Sequence, residues 1–334
     1  MTDTQDTKKS QENDYAPWRD VKIPMPPKLK AVLGRDFDTV HLSVRLIGLD
    51  LSLENPSIET VFVAGGISAN RCPASENAHK TGWWSNLVGP EKLINTNCCR
   101  VIAFDYLAPK QQASDTDFYP LPPSLQADTI AYILDYLKIT HLKAFLGGSY
   151  GGIVGLNFAS LYPQRLQKLF CLAATHMVSQ YGHAIRHVQR GILQSALNDG
   201  NQANAVALAR KLGVISYRSR EEFEKRFDAV KPEEGVLGYL NHQGQKFTKS
   251  HDLWRYGCLS KSIDLQSVSP SEIHTETALI AIDSDVLVPI NHVQELADNM
   301  AATCHLKIIS SHFGHDGFLL ETQEIQSFLS PLTE

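Results

Sequence analysis

Lys143-Ala144-Phe145-Leu146 runs straight into Gly147-Gly148-Ser149-Tyr150-Gly151, and Gly152-Ile153-Val154-Gly155-Leu156-Asn157-Phe158 follows. The first four residues read as a strand, the last seven as an apolar helix, and a serine stands at the bend between them. A serine on so tight a strand-to-helix turn takes a strained backbone conformation, and the flanking glycines leave room for the turn to approach neighbouring strands. The G-x-S-x-G spacing is a weak signal by itself, because three fixed positions recur by chance. Its context decides the fold: a hydroxyl held at the carboxyl end of a strand, at the edge of an α/β sheet.

Outward from the bend, strand and helix alternate. His41 to Leu49 alternates Leu42, Val44 and Leu46, as a half-buried strand does. Thr60 to Gly66, Arg100 to Tyr106, Leu166 to Ala174, Ala278 to Asp283 and Leu306 to Ser310 are near-continuous apolar runs, which belong to a parallel sheet covered on both faces. Between them, Leu125 to Leu137 puts Ile130, Ile133, Leu134 and Leu137 on one helical face, and Pro289 to Met300 does the same with Ile290, Val293, Leu296 and Met300. The pattern predicts an open, mostly parallel, doubly wound α/β sheet. The rhythm stops between His176 and Ile273, where helix formers, charges and histidines dominate. Residues 176–273 are therefore expected to form an inserted helical lid, with the core built from 36–175 and 274–334. Residues 1–20, polar and charged to Tyr15, are expected to be a disordered tail.

The 334 residues carry 31 Lys+Arg against 36 Asp+Glu, a formal net charge of −5, which offers no general attraction to nucleic acid or an anionic membrane. No apolar stretch nears the 18 or so residues needed to cross a bilayer, and the N-terminus has no secretory pattern, so a cytoplasmic protein is expected. Cys72, Cys98, Cys99, Cys171, Cys258 and Cys304 form no CxxC pair and read as reduced thiols, with Cys98 and Cys99 expected in a strand.

A serine hydroxyl is a poor nucleophile until a base takes its proton, so an orienting carboxylate and a histidine should follow it in that order. Ser284-Asp285-Val286-Leu287-Val288-Pro289 sits where the strand ALIAID gives way to a helix, and Gly314-His315-Asp316-Gly317-Phe318 follows the last strand. Asp285 at the strand tip is preferred to Asp283, two residues upstream. His315, preceded by glycine, is preferred to His312. The oxyanion of a tetrahedral intermediate needs amide donors. One is expected from Tyr150, the other from the loop Gly65-Gly66-Ile67-Ser68, at Ile67.

These segments resemble the homoserine O-acyltransferases of the α/β-hydrolase superfamily over most of the chain, from about Val44 to Leu329. Gly82-Trp83-Trp84-Ser85-Asn86-Leu87-Val88-Gly89-Pro90 is similar to the family's G-W-W-x-x-x-V-G-P. Leu208-Ala209-Arg210 with Ser216-Tyr217-Arg218-Ser219 resembles its L-A-R … Y-R-S segment, Tyr239 to Phe247 its Y-L-x-x-x-G-x-K-F, and Gly314 to Leu319 its G-H-D-x-F-L. The resemblance implies an α/β-hydrolase fold and a two-step transfer in methionine biosynthesis. Ser149 would take an acyl group from acyl-coenzyme A, a co-substrate, with no further cofactor. The γ-hydroxyl of L-homoserine would then accept it, with His315 as base and acid. Arg210 matches the substrate-binding arginine, suited to an α-carboxylate, and Asp316 the carboxylate after the histidine, suited to an α-ammonium. A homodimer is also implied.

The chain departs from the longer acetyl-transferring members in its short Asp105-Tyr106-Leu107-Ala108-Pro109-Lys110 and in reading AGGIS where they have H-A-L-T-G. This favours a succinyl donor over acetyl. A serine O-acyltransferase of the same family and an esterase are the alternatives. His183-Ala184-Ile185-Arg186-His187 has the i, i+4 spacing of a metal-binding helix but lacks the glutamate of H-E-x-x-H and interposes a cation, so no metal is expected. Arg186, Arg190, Arg218, Arg220, Lys225 and Arg226 suit the phosphates of coenzyme A or a succinyl carboxylate; with Glu221, Glu222 and Glu224 interleaved, they suit a solvated face as well.

Overall fold

A computed structural model describes residues 14–27, 29–30, 41–108, 117–197, 200–231 and 233–333. Eight strands form one sheet: β1 (Trp18–Pro24), β2 (His41–Gly48), β3 (Thr60–Ala64), β4 (Arg100–Phe104), β5 (Leu142–Gly148), β6 (Leu166–Leu172), β7 (Glu276–Ile282) and β8 (Cys304–Ile309). Their spatial order is β1-β2-β4-β3-β5-β6-β7-β8. From β4 onward all pairs are parallel, while β2 runs antiparallel to both β1 and β4. The apolar runs follow from burial on both faces. In β3, Phe62 and Ala64 pack into one layer with Leu46, Ile102, Phe145 and Leu169, while Val61 and Val63 pack into the other with Val101, Leu146, Phe170 and Ile280. β3 and β4, buried at every residue, alternate between two cores, so neither face is left to water there.

Helix α1 (Pro123–Tyr136) starts with proline in its first turn, where a missing N–H costs nothing, and buries Ile130, Ile133 and Leu134. α2 (Tyr150–Leu161) leaves the serine bend, and its first ten residues are all buried. Between β6 and β7 the chain forms α3 (Gln180–Ser195), α4 (Gln202–Tyr217), α5 (Arg220–Phe227), α6 (Val236–Thr248) and α7 (Leu253–Ile263), with no strand among its described residues. α8 (Ile290–Asn299) separates β7 from β8. The consequence for chemistry is positional. Every parallel strand ends at the same edge, and the loops after β3, β5, β7 and β8 carry Ile67, Ser149, Asp285 and His315 to it. No helix among the described residues is long and apolar enough to cross a membrane.

Two expectations need correction. Trp18 to Asp20, assigned to the tail, belong to β1, which pairs with β2 from Trp18↔Ile47 to Pro24↔His41, so the core begins before residue 36. The strand is an edge one that buries only Ile23 fully, and its Asp20 is held laterally, accepting from Arg45 Nε at 2.7 Å. Residues 1–13 of the expected tail, like Pro109 and Lys110, lie outside the described residues. Cys98 and Cys99 sit in a turn before β4 rather than in a strand, Cys98 exposed and Cys99 buried; no disulfide joins the six cysteines.

Candidate active site

Ser149 is the bend between β5 and α2 and adopts φ 54°, ψ −120°, a region that costs a non-glycine residue of order 1–3 kcal/mol. The surroundings over-determine it. A Cβ on Gly147 would lie 2.4 Å from the Gly151 carbonyl oxygen, and one on Gly151 2.1 Å from that of Ala64, so both flanking positions exclude any side chain. The Ser149 amide donates to the Leu172 carbonyl at 2.8 Å, fastening the bend to β6. Tyr150 sends its side chain into the core, where its hydroxyl is 2.7 Å from Ser262 Oγ on α7 and its ring 4.8 Å from that of Tyr106.

The three residues expected to share a proton relay meet. His315 Nε2 lies 2.7 Å from Ser149 Oγ, and His315 Nδ1 lies 2.5 Å from Asp285 Oδ2. A carboxylate only accepts, so Nδ1 carries the hydrogen and Nε2 is free to take the serine proton. Asp285 is itself aimed: its Oδ1 accepts from the amides of Leu287 at 2.8 Å and Val288 at 3.1 Å. Ser284 joins the two loops, donating to the Ser311 carbonyl and accepting from the Gly314 amide at 3.0 Å. Gly314 has φ +67°, and a Cβ there would lie 2.6 Å from the Ser219 amide nitrogen, which is why glycine precedes His315.

Burial opposes the charged imidazole of His315, but Asp285 and then Asp316 outweigh it, and its pKa is raised above the ordinary value. The rivals point elsewhere. Asp283 Oδ1 accepts from the Ser311 amide at 2.9 Å, and His312 Nε2 faces Glu222 at 3.6 Å.

Ser149 and His315 open into a cavity of about 250 Å³, just below the usual range for drug-sized ligands, which suits a small molecule. Its walls include Ile67, Ser68, Trp83 and Asp316 from the core, and Arg186, Arg210 and Tyr217 from the cap side. The Tyr150 amide is the first of α2 and has no carbonyl within the helix to meet. Gly66 is close behind Ser149, its Cβ position 3.9 Å from the serine Cβ, so the Ile67 loop borders the reacting oxygen.

Arg210, on α4, is half-buried, its guanidinium carbon 4.7 Å from the Phe247 ring centroid and 5.5 Å from that of Tyr217. Its Nε is buried with no hydrogen-bond partner among the described residues. A cation braced by rings keeps a donor here that an anion could meet. Asp316 is 3.3 Å from Arg218 and its pKa is raised, chiefly by burial, against the pull of Arg218.

The remaining basic residues divide. Arg186 and Arg190 both reach Asp264, each at 2.7 Å, and His183 reaches it at 3.0 Å, so His183 is turned toward a carboxylate shared with two arginines. On α5, Arg220 and Lys225 pair with exposed Glu224 and Glu221, and Arg226 with the buried Glu222. Among the described residues no group of three or more His, Cys, Asp and Glu is arranged to hold a metal. Sequence reasoning missed Tyr106, whose hydroxyl donates to the Gly65 carbonyl at 2.5 Å, although its place just beyond β4, at the active edge, was a usable signal.

The α/β hydrolase fold family matches residues 77–322. A homoserine O-succinyltransferase of Xanthomonas campestris pv. campestris is 35% identical, over 91% of this chain and 84% of its own length. A homoserine O-acetyltransferase of Thermus thermophilus is 34% identical, over 77% of this chain and 73% of its own. Among solved structures, homoserine O-acetyltransferase from Bacillus anthracis superposes with a TM-score of 0.80 at 15% identity, covering 96% of this chain and 98% of that one. Esterase E22 does so with a TM-score of 0.78 at 17% identity, over 94% and 100%. At such identities these structures speak for the shared fold.

Proposed function

The chain belongs to the homoserine O-acyltransferases of the α/β-hydrolase fold, enzymes that transfer an acyl group to homoserine, and from that premise we propose a two-step route through Ser149. His315 Nε2 takes the hydroxyl proton of Ser149 as Oγ attacks the thioester carbonyl of acyl-coenzyme A. The carbonyl oxygen becomes an oxyanion between the amides of Tyr150 and Ile67. Collapse breaks the carbon–sulfur bond, His315 returns the proton to the departing thiolate, and the acyl group stays on Ser149. The γ-hydroxyl of L-homoserine then gives its proton to His315 and attacks the acyl carbon. The second collapse breaks the bond between the acyl carbon and Ser149 Oγ, His315 returns its proton to Oγ, and the O-acyl amino acid leaves. Asp285 keeps the imidazole in the one tautomer both halves need.

The observation that carries this reading is a single cavity joining Ser149 and His315 to two opposite charges, Arg210 and Asp316. A zwitterionic acceptor needs both, because an unpaired charge in a water-excluding site costs several kcal/mol. An esterase site has no call for either. For the donor we favour succinyl: Arg186 and Arg190 share one carboxylate, Asp264, so the cavity wall at Arg186 keeps an excess of positive charge for a terminal carboxylate. The reading puts the enzyme in methionine biosynthesis and in the cytoplasm, where free thiols persist. It also makes the enzyme a homodimer, supported by large apolar side chains exposed on neighbouring cap helices: Tyr181, Val188, Leu208, Ile215 and Leu237.

The test is thiol release by the purified protein with succinyl- or acetyl-coenzyme A, in the presence and absence of L-homoserine or L-serine. Sustained release that needs homoserine and is faster with succinyl supports the reading. Release of equal rate without an acceptor makes the protein a hydrolase, and a preference for L-serine moves it to the serine O-acyltransferases.

A further inference from the structure

One imidazole of the cap meets the loop that carries Ile67. His251, just beyond α6, stacks on Phe247 with ring centroids 3.9 Å apart and planes within 6° of parallel. Its Nε2 is 3.2 Å from the Ser68 carbonyl oxygen and its Nδ1 2.9 Å from Ser250 Oγ. A carbonyl only accepts, so Nε2 donates and Nδ1 accepts the serine hydroxyl, which fixes the tautomer. Burial first, then the neighbouring Arg255 cation, lowers the His251 pKa to about 4, so the ring stays neutral in this tautomer at physiological pH.

Side chains hold the loop at three carbonyls, those of Gly65, Ser68 and Asn70. Tyr106 holds that of Gly65 at 2.5 Å and Trp83 Nε1 that of Asn70 at 2.8 Å, both from the core side. Between them, Ala69 N donates to Gly66 O at 2.8 Å, closing a turn with Ile67 and Ser68 at its centre. His251 is the side chain that reaches this centre from the cap.

We propose that His251 is a positioning residue: by holding the Ser68 carbonyl it sets the Gly66–Ala69 turn, and with it the Ile67 amide, where an oxyanion on a Ser149 adduct can be bound. The oxyanion role rests on the acyl-transfer reading above, and the positioning role rests on the contact. The same Phe247 ring braces Arg210, so the acceptor arginine and the oxyanion loop lean on one aromatic side chain.

The experiment separates the donor from the stack. His251→Phe keeps an aromatic ring against Phe247 and loses the N–H; His251→Gln loses the ring and keeps an N–H of similar reach. Both full-length variants and the unaltered enzyme are treated with an alkyl fluorophosphonate. Ser149 Oγ bonds to phosphorus, fluoride leaves, the serine proton passes to His315, and the phosphoryl oxygen needs the same amides with no acceptor or acyl donor present. His251→Phe should slow labelling about ten-fold, as a displaced donor does, and His251→Gln should stay within about three-fold of the unaltered rate. Homoserine KM should change by less than about two-fold in both. Equal labelling of the Phe variant and the unaltered enzyme overturns the proposal, and so does a Gln variant slowed as much as the Phe variant, which makes the ring a packing element. An unaltered enzyme that takes no label at Ser149 overturns the nucleophile assignment instead.

Discussion

The serine bend and the cap face each other across one cavity and are built on opposite principles. At the bend, backbone does the work. Carbonyls stand 2.4 and 2.1 Å from where side chains on Gly147 and Gly151 would begin, Ser149 is held at φ 54°, and Asp285 is aimed by two amides. Across from it, charged and aromatic side chains on helices do the work: Arg210 braced by Phe247 and Tyr217, Arg218 reaching to Asp316, Arg186 sharing Asp264. The difference teaches a division of labour. On the proposed route, reactivity sits where geometry cannot drift, and choice of substrate sits where one side chain can change without disturbing the sheet.

Damage to the backbone side should therefore cost most. Ser149→Ala should lose on the order of 10³-fold or more in turnover while thermal unfolding stays cooperative with a similar midpoint, because the hydroxyl meets His315 and little else. Retained turnover would remove Ser149 from the chemistry. Next comes Asp285→Asn, expected to cost about 10²- to 10⁴-fold by offering His315 a donor where it needs an acceptor. Asp283→Asn should cost far less, since Asp283 accepts from the Ser311 amide and not from the imidazole. Steady-state kinetics on both variants check the order, and its reversal would move the acid to Asp283.

The cap side should fail differently. Arg210→Ala should weaken transfer to homoserine about 10²-fold, the scale of a charge left without its partner, yet leave the rate of Ser149 acylation within about three-fold. Rapid-quench measurement of the two half-reactions separates them. Equal slowing of both would assign Arg210 to the donor.

The smallest effect is in pH. Neutral His315 is the base, so rate falls as pH drops through its folded pKa, and that pKa is raised because Asp285 and Asp316 outweigh burial. The acid limb of acylation should thus lie above the ordinary imidazole value near 6.5. Asp316→Asn removes one of the two anions and should move the limb toward lower pH, as a pH–rate profile of the acylation burst would record. An unmoved limb would mean that Asp316 does not act on His315.

What the sequence disclosed follows the same division. The bend was legible because its demands are local: glycines at fixed offsets, an apolar strand before, a helix after. Asp285 and His315 were legible from chain order and from their places beyond two strands. Arg210 from spacing alone reads as a solvated helix residue, and only the resemblance singled it out. The pairing of Arg218 with Asp316 and the reach of His251 to Ser68, across 183 positions, depend on how the cap docks, which no local pattern encodes. β1 was missed because an edge strand buries little: WRDVKIP covers one residue fully, and its Asp20 pairs with Arg45 and Arg71.

The central claim is that an acyl group rests on Ser149 between donor and acceptor. Intact-mass measurement of the enzyme quenched after mixing with succinyl-coenzyme A alone tests it most directly. The account predicts a mass gain of one succinyl group, mapped to Ser149 after proteolysis, absent from Ser149→Ala and discharged on addition of L-homoserine. No adduct with succinyl- or acetyl-coenzyme A while O-acylhomoserine still forms would contradict it, because the acyl group would then pass to the acceptor directly.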